Sequence, residues 1–90
     1  MLQTVTITVE GLVQGVYYRQ STKALAIESG INGEVKNKPD GSVQITATGT
    51  EDQIQKLIDW CNKGPEMAIV TKVKVEKLPL KTFQGFNIVR

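Results

Sequence analysis

Apolar and polar residues alternate strictly near the start of the chain. Val5, Ile7 and Val9 fall on one side of residues 3–9, and Thr4, Thr6 and Thr8 on the other. That is the period of a strand with one buried face and one solvated face. Residues 11–15, Gly-Leu-Val-Gln-Gly, then read as a loop. Over residues 18–29 the run of Lys23, Ala24, Leu25 and Ala26 favours a helix, and Gly30 stands where a left-handed residue ends one. Residues 33–37 read as a short strand. Lys38-Pro39-Asp40-Gly41 is turn chemistry, because proline pre-sets one dihedral and Asp-Gly accepts the reversal. Residues 42–48 alternate again, with Val43, Ile45 and Ala47 on one face, and complete a hairpin.

The pattern turns helical once more after Thr50. Thr50 and Gln53 have the spacing of a capping box, and Ile54, Leu57, Ile58 and Cys61 recur at helical intervals until Gly64-Pro65 stops them. Residues 69–78 form a long strand, with Thr71, Val73 and Val75 alternating against Lys72, Lys74 and Glu76. Pro79 breaks it, and residues 86–89 make a final short strand. The order is strand, helix, strand, strand, helix, strand, plus one appended strand, with no linker or repeat. Two amphipathic helices on one face of a mostly antiparallel sheet bury these stripes most economically. The predicted fold is an α+β, ferredoxin-like two-layer sandwich, with residues 1–90 as one domain.

Composition narrows the chemistry. Ninety residues with 40% apolar and 22% charged side chains suit one small globular domain with a modest core. The net charge of +2 favours anions weakly and does not point to nucleic acid. An RNA-recognition domain shares the element order but needs base-stacking aromatics on its central strands, and residues 3–9 and 42–48 have none. No apolar run approaches a membrane span, and no signal peptide is apparent. A single cysteine, Cys61, excludes an internal disulfide and suits the cytoplasm. The chain has no histidine, so no Ser-His or Cys-His pair and no histidine metal ligand or proton shuttle can form. Cysteines and carboxylates do not cluster at ligand spacing, so no metal or other cofactor is expected.

Residues 11–19 are the most informative stretch. They leave a strand, pass two glycines and enter a helix. The first amides of a helix have no partners there, and its dipole adds positive charge, so an anion is the natural occupant. Arg19 lies in the first helical turn, where the dipole disfavours a cation. A bound anion would account for it, since guanidinium grips phosphate in a bidentate fork. By spacing alone, an ordinary glycine turn with a solvated Arg19 is the more economical account. The stretch is neither a P-loop nor a dinucleotide fingerprint, because the lysine-serine ending and the three-glycine spacing are absent. Asn37, at a strand end, offers an amide able to hold a water, although asparagine also serves local turn bonding. Cys61 reads as core, Trp60 as packing that flanks the core stripe, Asp40 as a turn residue, Glu51 and Asp52 as complements to a helix N-terminus, and Lys72, Lys74, Lys77 and Lys81 as a solvated strand face.

Taken together, longer motifs are specific. Val9-Glu10-Gly11-Leu12-Val13-Gln14-Gly15-Val16-Tyr17-Tyr18-Arg19 resembles the first signature of the acylphosphatase family. Gly33-Glu34-Val35-Lys36-Asn37, followed by Asp40-Gly41-Ser42-Val43 and Gly49, resembles the second. Gly64-Pro65 with the valines after it, and Phe86-Asn87-Ile88, are similar to the family as well, so the resemblance spans essentially the whole chain. Tyr18 stands where the family usually has Phe or Met, and Glu34 where an aromatic usually follows the glycine.

The resemblance implies hydrolysis of an acyl phosphate to a carboxylate and inorganic phosphate. The amides of Gln14, Gly15, Val16, Tyr17, Tyr18 and Arg19 would cradle the phosphoryl group, Arg19 would pair with its oxygens, and Asn37 would orient the attacking water. Neither a metal nor a phospho-enzyme is implied. The expected ligands are a small acyl phosphate and, in competition, inorganic phosphate or sulfate. No nucleic acid or membrane partner is expected, and the chain should be a monomer. The alternative is a non-catalytic small-anion-binding module on the same fold. The leaving group is a carboxylate whose acid has a pKa of about 4–5. It departs without protonation, which suits a chain with no histidine.

Overall fold

The structure, a computed structural model, describes residues 1–89. Seven elements follow one another: β1 (Leu2–Leu12), α1 (Tyr18–Ser29), β2 (Asn32–Asn37), β3 (Val43–Thr50), α2 (Glu51–Lys63), β4 (Ile69–Leu78) and β5 (Phe86–Ile88). The strands form one sheet in the order β4-β1-β3-β2-β5, antiparallel except where β5 runs parallel to β2. Both helices cover one face, giving the ferredoxin-like α+β sandwich that the periodicity predicts. None of the helices among the described residues is long and apolar enough to cross a membrane.

Alternation in the strands becomes the core. Val5, Ile7 and Val9 of β1, Val35 of β2, and Val43, Ile45 and Ala47 of β3 are buried beneath Tyr18, Ala26, Ile54, Leu57 and Cys61 of the helices. Each fully buried large aliphatic side chain contributes roughly 1.5–3 kcal/mol. The capping box at Thr50 is complete: Gln53 N–H donates to the Thr50 hydroxyl, and Thr50 N–H donates to the Gln53 side-chain carbonyl.

The structure departs from the sequence pattern in three places. β1 does not end at Val9 but continues through Gly11 and Leu12, because a bulge at Glu10/Gly11 shifts its register against β4. The strand thereby delivers the next loop to the rim of the sheet. Thr4 and Thr48 are buried, although alternation assigns them to a solvated face. The segment from β4 to β5 returns across that face: Lys81 N–H donates to the Thr4 hydroxyl at 2.9 Å, and the Thr48 hydroxyl donates to the Lys81 carbonyl at 2.6 Å. Finally, the predicted lysine face is only partly one. Lys72 and Lys74 share it, with Lys74 3.6 Å from Glu10. Lys77 pairs with Val5 and so lies on the helix side, and Lys81 belongs to the returning segment.

Gly33 sits between β3 and β5 at φ 154°. A Cβ there would overlap the Thr46 carbonyl oxygen and stand 2.9 Å from the Ala47 Cα. Both obstacles are backbone of a central strand, and neither can swing aside. Gly33→Ala should therefore destabilise the fold by about 3 kcal/mol or more. Urea unfolding would show this, and a midpoint unchanged from wild type would refute it.

Candidate active site

The loop between β1 and α1 is held by what it buries. Val13, Val16 and Tyr18 point into the core, while Gly15 and Tyr17 face outward. The two outward residues take left-handed backbone, at φ 74° for Gly15 and 65° for Tyr17. Glycine does so freely; a tyrosine bears about 1–2 kcal/mol of strain. Alternation of this kind curls successive N–H groups toward one point.

The start of α1 is bare. Its N-cap, Tyr17, makes no side-chain cap, and no acidic residue stands in the first turn. The amides of residues 15–20 have no protein acceptor among the described residues. Arg19 in that first turn is half-buried and has no carboxylate within ion-pair distance among the described residues. Unpartnered donors and an unpaired guanidinium thus converge at a helix N-terminus, where an anion is most favourably held.

A cavity of about 240 Å³ opens above them, lined by Gly15, Tyr17, Arg19, Gln20 and Asn37, with Val13 and Tyr18 at its base. Asn37, the last residue of β2, shares the helix-side face with Val35 and Gly33, which turns it toward the loop. Its side-chain carbonyl oxygen is buried with no hydrogen-bond partner among the described residues. An orphaned buried acceptor costs about 1–3 kcal/mol and calls for a ligand or water. Glu34 lies on the opposite face of β2, across from Thr46, so the sheet separates its charge from the cavity.

Of the predicted site residues, the cavity brings together Gly15, Tyr17, Tyr18, Arg19 and Asn37. Val16 is buried beneath the loop, and the Gln14 side chain turns away to the β2–β3 hairpin, bonding the carbonyls of Lys38 and Ser42. Val13 and Gln20 also line the cavity. Gln20 was legible as the next amide of the same first turn; Val13 carried no signal beyond its apolarity.

The supporting residues behave as packing. The Tyr18 hydroxyl donates to the Cys61 carbonyl at 2.8 Å, and its ring meets Trp60 at 5.2 Å between centroids. Burial drives the Tyr18 phenol well above its ordinary pKa. Burial also pushes the Cys61 thiol up to about 12, so it stays protonated and non-nucleophilic at neutral pH. Asp40 accepts from the Ser42 hydroxyl and amide at 2.6 and 2.9 Å, which lowers its pKa and braces the hairpin turn.

Fold and site together define a small two-layer α+β sandwich with a pocket of unpartnered donors at a strand-to-helix junction. The acylphosphatase family model matches residues 5–88, and the chain belongs to that family. It is 51% identical over 71 residues to an acylphosphatase of Marinobacter nauticus, covering 79% of this chain and 77% of that one. The crystal structure of acylphosphatase from Bacillus subtilis superposes with a TM-score of 0.94 at 34% identity, over 100% of both chains. An acylphosphatase structure from Coxiella burnetii does so with a TM-score of 0.94 at 34% identity, over 98% of this chain and 93% of that one.

Proposed function

We propose that this chain hydrolyses acyl phosphates in the pocket of Arg19 and Asn37. The amides of residues 15–20 and the Arg19 guanidinium hold the phosphoryl oxygens, and the Asn37 amide holds a water against phosphorus. The water oxygen bonds to phosphorus as the bond from phosphorus to the acyl oxygen breaks. The acyl oxygen leaves with the electron pair as a carboxylate; one proton of the water stays on the phosphate product and the other passes to solvent. No protein acid or base is required, because the leaving group is already a weak base. Catalysis then consists of positioning and charge stabilisation. The observation that carries this reading is the meeting in one cavity of amides, an Arg19 guanidinium and an Asn37 carbonyl that have no partners among the described residues. A pocket complete within one chain is consistent with a working monomer, and a lone, buried cysteine suits a reducing compartment such as the cytoplasm. Residues 1–90 act as one domain in this reading.

A spectrophotometric assay with an aryl acyl phosphate tests it. Turnover should persist in excess chelator, since no three His, Cys, Asp or Glu side chains come together as a metal site among the described residues. Inorganic phosphate and sulfate should inhibit competitively. Phosphate binding without turnover would make the chain an anion-binding module instead. Loss of activity on chelation, restored by a divalent metal, would refute the metal-free route.

A further inference from the structure

We infer that Gln14 is a positioning residue for this hydrolysis, fastening the hairpin that carries Asn37 to the loop that carries the amide cradle. The inference rests on the roles proposed for Asn37 and the cradle. The Gln14 side-chain nitrogen lies 2.8 Å from the Lys38 carbonyl oxygen and 2.9 Å from the Ser42 carbonyl oxygen. Both partners only accept, so the NH2 end must face them, and each of its two N–H groups has one oxygen. Those oxygens stand at the mouth of the turn. There the Lys38 amide donates to the Ser42 carbonyl at 2.8 Å and the Gly41 amide to the Lys38 carbonyl at 3.1 Å.

Asn37 immediately precedes Lys38, and Gln14 immediately precedes Gly15. Among the described residues, the two Gln14 bonds are the only hydrogen bonds joining residues 13–20 to residues 36–43. The cradle fixes phosphorus and Asn37 fixes the water, so the approach distance depends on how these two segments sit. An error of about 1 Å in such a distance costs on the order of a hundredfold in rate. The Gln14 side chain is directed away from the cavity and acts through Asn37.

Two variants test this. Gln14→Glu keeps the length but sets a carboxylate against two carbonyl oxygens, and Gln14→Met keeps most of the length without charge or donors. In both, kcat should fall about ten- to a hundredfold, while the phosphate inhibition constant stays within about threefold of wild type. In an Asn37→Ala background, the same changes should lower kcat by less than about a further threefold, because a residue acting through Asn37 then has nothing to position. Loss of phosphate affinity in step with kcat, a full multiplicative loss in that background, wild-type kcat, or failure of both variants to fold by circular dichroism would each overturn the inference. Failure of the underlying reading looks different: Asn37→Ala alone would then keep wild-type kcat, whatever the Gln14 variants do.

Discussion

Replacing Arg19 with alanine should lower kcat toward an aryl acyl phosphate about a hundred- to a thousandfold, a loss of ~3–4 kcal/mol of transition-state stabilisation. The guanidinium lines the cavity beside free amides, where the phosphoryl charge would sit in both substrate and transition state. Phosphate inhibition should therefore weaken as well. The fold should survive. Arg19 is half-buried, has no ion-pair partner among the described residues and occupies a helix turn whose dipole opposes it by about 0.3–1 kcal/mol. Thermal unfolding near that of wild type would separate loss of function from loss of structure. Arg19→Lys should rescue poorly, since an ammonium is a point charge and cannot span two phosphoryl oxygens. Near-normal turnover in Arg19→Ala would remove it from the mechanism.

Asn37→Ala should show the complementary pattern: kcat about a hundredfold lower, with the phosphate inhibition constant nearly unchanged. The side chain is not ionisable, so in the proposed role it places the water and transfers no proton. Its buried carbonyl oxygen has no partner among the described residues, so removing it should leave stability equal to or slightly above wild type. Asn37→Asp should be similarly inactive, because a carboxylate repels the anionic substrate and lacks the amide donor. Phosphate affinity falling as far as kcat would reassign Asn37 to phosphate binding, and unchanged kcat would exclude it.

Much of this was legible along the chain. The alternation of Val5, Ile7 and Val9, the helical spacing of Ile54, Leu57 and Cys61, and the Thr50–Gln53 capping box each depend on residues near one another in sequence, and each appears as expected. Arg19 and Asn37 were visible as residue types in context, an arginine opposed by its helix dipole and an amide at a strand end. Neither was compelling alone; the acylphosphatase-like motifs made them so.

What the sequence determined by itself, then, was the element order, the buried faces and the identity of the candidate residues, because periodicity and capping act over one or two turns or a few strand residues. The tertiary structure alone decided that Asn37 and Arg19 share one cavity, that Gln14 reaches carbonyls 24 and 28 residues away, and that Thr4 is buried by Lys81, 77 residues on. The bulge at Glu10/Gly11 and the return of the chain beneath the sheet belong with these. Such contacts depend on the path of the whole backbone. A glutamine that bonds two main-chain oxygens leaves no pattern in its neighbours, since every residue of the turn offers the same carbonyl whatever its side chain.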